Sequence, residues 1–257
     1  MKTIKEITNA FKNAQSYEQW MDQYKFDERS SIQKAIISFE KRMSKMEMLN
    51  QSHQEKLNFD ASFLKEGQQY LAGVDEAGRG PLAGPVVTAA VILPNNCMEL
   101  LGVNDSKQLS KEKRENFAAR VKEHAIAYAI HFQDERAIDE LNIYEATKQS
   151  MIQSIQALTV KPDVVICDAM QLPIEIETHS IIKGDAQSLT IAAASILAKT
   201  ARDQYMEELH SEYPNYGFDK HAGYGTKQHL EAIDTYGITP HHRKSFEPIK
   251  SLMIKGG

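Results

Sequence analysis

The spacing of apolar residues changes near residue 70, and this change divides the chain into two parts. In the first part, one set of apolar residues is spaced by four, three, four and three positions: Ile32, Ile36, Phe39, Met43 and Met46. That is the period of an amphipathic helix. The pattern is lost between Asn58 and Gln68, which we interpret as a linker. The sequence therefore predicts a helical N-terminal extension, residues 1–69, and a separate domain, residues 70–257.

After residue 70, short apolar runs alternate with longer helical stretches. The runs predict strands, because they are apolar or β-branched and are bounded by turn residues: Leu71–Val74, Val86–Leu93, Ala125–Phe132, Asp163–Cys167 and Ser180–Lys183. Helical spacing predicts four longer helices: Lys111–Glu123, Ile138–Leu158, Leu189–Glu212 and Lys227–Tyr236. Two or three antiparallel strands, followed by strands separated by helices, are typical of a mixed α/β sheet covered by helices.

Residues 1–69 are open to two interpretations. Lys41, Arg42 and Lys45 form a basic set that would suit a clamp on nucleic acid or a surface for a partner. Lysines of this kind are also typical of the solvated face of a helical hairpin, packed on itself or on the main domain. We favour the second interpretation, in which the segment is structural.

Charge and cysteine content exclude several classes of protein. The 257 residues carry 30 Lys and Arg against 35 Asp and Glu. A net charge of −5 argues against non-specific coating of nucleic acid but is compatible with a nuclease that has an acidic metal site. Cys97 and Cys167 have no spacing typical of zinc sites or disulfide frameworks. With no apolar run near the ~18 residues of a membrane span and no signal segment, we expect a cytoplasmic monomer without a membrane partner.

Residues 70–85, YLAGVDEAGRGPLAGP, place two adjacent carboxylates before a glycine-rich turn. In a strand, Asp75 and Glu76 point to opposite faces, so they are not both solvated on one polar face. A buried carboxylate needs a cation, a metal or several hydrogen-bond donors as its partner. The glycines that follow allow the backbone to turn sharply and to approach another molecule. This combination favours a functional site over a simple strand-ending turn.

Acidic residues also lie at or after the ends of three predicted buried strands. Asp75 and Glu76 close the first strand, Asp168 follows the fourth, and Asp185 follows the fifth. In α/β sheets, loops at the strand ends present side chains above a rigid scaffold. Four carboxylates gathered there require cations, and oxygen ligands select Mg²⁺ or Mn²⁺ rather than zinc. Two such ions about 4 Å apart suit an in-line displacement at phosphorus.

Five motifs occur in a fixed order along the chain: GVDEAGRGPLAGP (73–85), DSK (105–107), CDA (167–169), KGDAQSLTIAAASILAKTARD (183–203) and YGFDKHAGYGT (216–226). Together they resemble ribonuclease HII, the type 2 ribonuclease H family. The resemblance extends over residues 70–250, and the Gly-Arg-Gly loop separates it from the type HIII enzymes. Residues 1–69 lie outside it, apart from being an extension that some members carry.

The resemblance implies a ribonuclease H-like fold, with a mixed five-stranded sheet flanked by helices. It implies hydrolysis of the RNA strand of RNA/DNA hybrids and cleavage 5′ of single ribonucleotides in duplex DNA, leaving a 3′-hydroxyl and a 5′-phosphate. It assigns the catalytic and metal-binding roles, with two Mg²⁺ or Mn²⁺ ions, to Asp75, Glu76, Asp168 and Asp185.

The same resemblance implies the substrate contacts. The backbone of Gly78, Arg79 and Gly80 would read the ribose 2′-hydroxyl, the group that distinguishes RNA from DNA. Tyr224 would pack against the deoxyribose beyond the junction. Cations that could contact phosphates are Lys107, Lys183, Lys199 and Arg202; the last two are equally expected as ordinary helix residues. We interpret several histidines as surface or phosphate-side groups rather than metal ligands: His221, His229, His241 and His242.

Two other functions stay open at this point. One is a general metal-dependent nuclease of the same fold, which would cut without needing a 2′-hydroxyl. The other is a non-catalytic module that binds nucleic acid. The Gly-Arg-Gly loop argues against the first, and the four intact carboxylates argue against the second.

Overall fold

The computed structural model describes residues 2–103, 106 and 109–255. The chain separates into two units, one ending at Gln54 and the other beginning at Glu55. Its strands are β1 Leu71–Ala77, β2 Val86–Ile92, β3 Ala127–Gln133, β4 Val164–Asp168 and β5 Glu177–Ile181. Its helices are α1 Ile4–Asn13, α2 Ser30–Ala61, α3 Lys111–His124, α4 Glu135–Leu141, α5 Ile143–Gln156, α6 Gly184–Gln187, α7 Leu189–Glu212, α8 Phe218–His221, α9 Lys227–Tyr236 and α10 Ile249–Lys255. Over these described ranges, none of the helices has the length and apolar character needed to cross a membrane.

The N-terminal unit has an apolar core of its own. Buried residues of α1, of α2 and of the short turn between them form this core: Ile7, Phe11, Met21, Tyr24, Ile32 and Phe39. The guanidinium of Arg42 donates hydrogen bonds to the backbone carbonyls of Phe11 and Ala14, at 3.0 and 2.7 Å. Arg42 therefore stabilises the packing of α2 on the end of α1. These contacts support the interpretation of the segment as a helical element packed on itself.

The five strands form one mixed sheet in the order β3-β2-β1-β4-β5. β2 pairs antiparallel with both β1 and β3. β4 pairs parallel with both β1 and β5. The predicted fold class, a mixed five-stranded sheet flanked by helices, is confirmed.

Helices cover both faces of the sheet. In β2, Ala89 and Val91 pack against the small apolar first half of α7, whereas Ala90 and Ile92 share a core with residues of α5. Successive side chains of a strand point to opposite faces, so β2 contributes to two separate apolar cores. This explains why all of β2 is buried.

The backbones of α7 and β1 approach each other closely at Gly73. A β-carbon added there would lie 2.3 Å from the backbone carbon of Thr190 and 2.4 Å from the backbone nitrogen of Ile191. Only glycine allows the backbone of α7 to approach the strand this closely. The contact fixes β1 against α7 two residues before Asp75.

Several predicted boundaries differ from the structure. The single helix predicted after residue 138 is two helices, α4 and α5, because Asn142 has a φ of 70° and its side chain caps the second. β5 ends before the predicted Ser180–Lys183 strand does, since Lys183 has a left-handed backbone with φ of 55°. α2 continues to Ala61, so the first residues of the predicted linker are helical. α7 and α9 have the predicted bounds.

Candidate active site

The register of the sheet sets two of the acidic residues side by side. In the parallel pairing of β1 with β4, Val74 lies opposite Cys167. Asp75 and Asp168 are the next residues on the two strands. Residues at the same level of neighbouring strands point to the same face, so these two carboxylates are directed to one region.

Asp185 lies on the short helix α6, which follows β5. The side chain of Asp168 accepts a hydrogen bond from the N–H of Gly184 at 2.7 Å, and this bond joins the end of β4 to the start of α6. Directly after α6, the hydroxyl of Ser188 accepts a hydrogen bond from the N–H of Ile191 at 3.0 Å and caps α7. The turn that carries Asp185 is therefore tied to the sheet on one side and to α7 on the other.

One cavity of about 320 Å³ is lined by all four predicted carboxylates: Asp75, Glu76, Asp168 and Asp185. The glycine-rich loop and the aromatic residue assigned by resemblance line the same cavity. The structure thus brings together eight predicted site residues: Asp75, Glu76, Gly78, Arg79, Gly80, Asp168, Asp185 and Tyr224. Ser106 and Ser195 also line the cavity, although the sequence had not indicated them. Their hydroxyl oxygens are 3.0 Å apart.

Asp75 is buried, with 5% of its surface exposed, whereas the other three carboxylates are partly exposed. Burial raises the pKa of Asp75 well above its ordinary value, and the negative charges of Glu76 and Asp168 raise this pKa further. The N–H of Glu76, which donates to Asp75 Oδ1 at 2.7 Å, and the hydroxyl of Ser195 act in the opposite direction. A cation near these carboxylates would favour their ionised forms.

The donor atoms of the cavity fit a hard divalent cation, because they are oxygens with a strong local excess of negative charge. Within the described ranges, no three His, Cys, Asp or Glu side chains are arranged to hold a metal ion by themselves. Mg²⁺ commonly keeps several waters and binds through one or two carboxylates together with substrate phosphates. An open set of carboxylates, completed by water and substrate, is compatible with that behaviour.

Arg243 holds the first part of the glycine-rich loop. Its guanidinium donates to the carbonyl of Gly78 at 2.6 Å, to that of Arg79 at 2.9 Å and to that of Gly84 at 2.7 and 2.9 Å. The side chain is fully buried. Arg243 was not singled out from the sequence, so its role in fixing the loop was missed.

Arg202 holds the second part of the loop. It donates to the carbonyls of Pro85 at 3.0 Å and Ala83 at 3.1 Å, and 1% of its surface is exposed. A β-carbon on Gly78, whose φ is +93°, would lie 1.9 Å from Arg202 Nε. Of the two interpretations offered for Arg202, the geometry favours the structural one, since the guanidinium binds backbone carbonyls. The position of this guanidinium also explains why residue 78 is glycine, because a β-carbon there would overlap Arg202 Nε.

Tyr224 is half-exposed beside the loop, with its Cε1 atom 3.4 Å from where a β-carbon of Gly80 would lie. Its carbonyl lies 2.9 Å from Nδ1 of His229, and Nε2 of His229 lies 3.1 Å from Nε2 of His242. Both histidines are buried. The interpretation of these two as surface or phosphate-side groups was therefore wrong; they pack behind Tyr224.

The predicted cationic contacts are distributed unevenly around the cavity. Lys199 lines it, but its Nζ lies 2.6 Å from a carboxylate oxygen of Asp203. Arg79 lies 3.4 Å from Glu76 and stays partly exposed. Lys183 is exposed and is not among the lining residues, and Lys107 lies outside the described residues.

A larger cavity of about 490 Å³ lies elsewhere in the same unit, next to the end of α2. Among its described lining residues, the acidic ones are Asp60, which accepts hydrogen bonds from Thr190, and the exposed Glu66. It lacks the converging carboxylates of the smaller cavity. The smaller cavity is therefore the candidate active site.

Comparison with known proteins finds similarity over most of the chain. Two family models match the chain: Ribonuclease HII over residues 72–249, and Ribonuclease HII N-terminal domain over residues 3–64. The Ribonuclease HII of Ligilactobacillus salivarius is 48% identical over 253 residues, which are 98% of each chain. The N-terminal segment, for which the sequence motifs gave no match, is included in this similarity.

Solved structures share the fold. The ribonuclease H2 of Pyrococcus horikoshii is 28% identical, with a TM-score of 0.63, and the match covers 72% of this chain and 98% of that one. Bst-RNase HIII, solved in complex with Mn²⁺, is 20% identical, with a TM-score of 0.56, covering 74% of this chain and 70% of that one. At 20% identity the second likeness shows the fold alone.

Proposed function

Because the chain belongs to the ribonuclease HII family and is a ribonuclease H-type endonuclease, we propose that it cuts ribonucleotides in two contexts. It hydrolyses the RNA strand of RNA/DNA hybrids, and it cuts on the 5′ side of a single ribonucleotide embedded in duplex DNA. The products carry a 3′-hydroxyl and a 5′-phosphate. The observation that carries this proposal is that the four carboxylates, the Gly-Arg-Gly loop and Tyr224 line one cavity.

Asp75, Glu76, Asp168 and Asp185 would hold two divalent ions. Bound Mg²⁺ or Mn²⁺ would supply activation of the attacking water and stabilisation of the leaving oxygen. The raised pKa of Asp75 supports this assignment, since its cause is burial next to two other negative charges.

The loop of Gly78, Arg79 and Gly80 would read the ribose 2′-hydroxyl through its backbone. The buried guanidinium of Arg243 binds the carbonyls of Gly78 and Arg79, so the loop is held in one conformation before substrate arrives. A rigid backbone of this kind would distinguish a ribonucleotide from a deoxyribonucleotide, because a missing or misplaced 2′-hydroxyl would leave the backbone group that pairs with it without a hydrogen bond. Tyr224, half-exposed next to Gly80, would contact the sugar beyond the ribonucleotide.

The test is a cleavage assay on a labelled DNA duplex that contains one ribonucleotide. The same duplex without it, and a duplex with an RNA strand, are run alongside in Mg²⁺, Mn²⁺ or EDTA. We expect metal-dependent cleavage of the two ribonucleotide-containing duplexes, with a single cut 5′ of the isolated ribonucleotide. The full-length Asp75→Asn variant should lose turnover while keeping its affinity for the duplex.

Other outcomes would assign other functions. Cleavage of the all-DNA duplex would indicate a general nuclease, and binding without any cut would indicate a nucleic-acid-binding module. Full activity of Asp75→Asn would contradict the assignment of the carboxylates.

A further inference from the structure

The last turns of α2 carry two charged side chains that are buried. Lys56 and Asp60 are 5% and 8% exposed, and their spacing of four residues sets them on one side of the helix. Burying an ammonium or a carboxylate is costly unless the group finds partners. Both residues belong to the unit that begins at Glu55, which also contains the candidate active site.

Lys56 reaches the two segments that border the active-site cavity. Its Nζ donates to the backbone carbonyl of Asp185 at 3.2 Å and to that of Val103 at 3.5 Å. The side chain of Asp185 lines the cavity, and Val103 lies three residues before Ser106, which lines it too. One ammonium group thus joins the backbones of two segments that contribute lining residues to the cavity.

Asp60 fixes the start of α7. One of its carboxylate oxygens accepts hydrogen bonds from the N–H of Thr190 at 2.9 Å and from its hydroxyl at 2.7 Å. A carboxylate at this point is favoured by the unpaired N–H groups and the positive end of the helix dipole. Thr190 lies in the first turn of α7, five residues after Asp185.

We propose that Lys56 and Asp60 are positioning residues that hold the turn carrying Asp185 in the orientation needed for metal binding. Lys56 binds the backbone of Asp185 itself, and Asp60 anchors the helix that follows. The proposal rests on the proposed function, since it takes Asp185 to be a metal ligand. It also implies that the end of α2, which the sequence assigns to an N-terminal extension, is part of the catalytic apparatus.

The test uses full-length protein with Lys56→Met, which keeps the apolar stem and removes the donor, and with Asp60→Asn. Lys65→Met is the matched control, because Lys65 is an exposed lysine of the same unit that pairs with Glu177. Mn²⁺ affinity is measured without substrate by electron paramagnetic resonance of the free ion. kcat and KM are measured on the duplex that contains one ribonucleotide, and thermal melts report folding.

Removing groups that orient metal ligands typically costs about 10- to 100-fold in metal affinity or activity. We therefore expect Lys56→Met to weaken Mn²⁺ binding and to lower kcat by at least about tenfold, with the KM for the duplex nearly unchanged. Asp60→Asn should also weaken Mn²⁺ binding and lower kcat. Lys56→Arg, which keeps a cationic donor, should retain most of the Mn²⁺ affinity. Lys65→Met should match the wild type.

A folded Lys56→Met variant with wild-type Mn²⁺ affinity would overturn the proposal. So would a lower melting temperature combined with unchanged kcat and Mn²⁺ affinity for the folded molecules, because that result describes a purely structural contact. Should Lys56→Met fail to fold, the proposal is tested by comparing Asp60→Asn, which should lose Mn²⁺ affinity and kcat, with Lys56→Arg, which should keep most of the Mn²⁺ affinity. Failure of the proposed function is separate: the wild-type protein would then leave the ribonucleotide-containing duplex uncut.

Discussion

The buried pair of His229 and His242 should make the region behind Tyr224 sensitive to acid. The N–H of Thr239 donates to Nδ1 of His242 at 2.9 Å, so this ring carries its proton on Nε2. That Nε2 lies 3.1 Å from Nε2 of His229, whose Nδ1 lies 2.9 Å from the carbonyl of Tyr224. All three bonds are satisfied when His242 donates to His229 and His229 donates to Tyr224, with both rings neutral. A second proton on His229, at Nε2, would break the bond between the rings, and one on His242, at Nδ1, would break its bond with the Thr239 N–H.

The size of the effect follows from the pKa values. Burial lowers the pKa of both histidines from 6.5 to about 4. As the pH falls below 6.5, the unfolded chain binds protons that the folded protein excludes, so stability is full above this pH and is lost towards pH 4. At pH 5 this costs about 2 kcal/mol for one such histidine. Because the two rings share one hydrogen bond, their effects do not add fully, and we expect about 2–3 kcal/mol for the pair.

The measurement is the free energy of unfolding in urea at pH 7.5 and pH 5, for the wild type and for His242→Asn. The asparagine oxygen can accept the Thr239 N–H but does not titrate, so the variant should be less stable at pH 7.5 but lose about 1–2 kcal/mol less on acidification. His124→Asn, at a partly exposed histidine, is the control and should keep the wild-type loss. An equal loss in His242→Asn and the wild type would refute the argument.

Two further predictions concern the site and its support. Tyr224→Ala should lower kcat/KM on the single-ribonucleotide duplex by about tenfold, the size of one aromatic contact, with a smaller change in duplex affinity; equal losses in both would argue against junction reading. Gly73→Ala should destabilise the fold by about 3 kcal/mol or more, because its β-carbon would lie 2.3 Å from the backbone of Thr190. An unchanged thermal midpoint would contradict this close packing.

Sequence reasoning succeeded where the signal is local. β2 and α7 are recognisable because a continuous apolar run and a run of small residues each identify their own element. The apolar runs Leu71–Val74 and Asp163–Cys167 likewise predicted strands that lead directly into Asp75 and Asp168. In the structure, the parallel register of β1 and β4 sets the two residues side by side.

It failed where a polar residue is buried. Lys56 and Asp60 interrupt the apolar period of α2, so the end of that helix resembled a linker, although both side chains are buried and bonded. His242, a polar residue, was interpreted as a surface or phosphate-side group, although it is buried. The partners of Arg202 and Arg243 on the glycine-rich loop are 117 to 165 residues away along the chain, and no periodic pattern indicates such contacts.

The two buried arginines do not neutralise the carboxylates beside them. Burial lowers the pKa of Arg202 to about 10 and that of Arg243 to about 9, so both stay protonated at neutral pH. Their guanidinium groups donate to backbone carbonyls of the loop, and the pKa of Asp75 stays raised by burial and by Glu76 and Asp168. Within the described residues, these two arginines therefore fix the shape of the glycine-rich loop and do not pair with Asp75. The divalent cation that we propose at this site would supply a partner for Asp75.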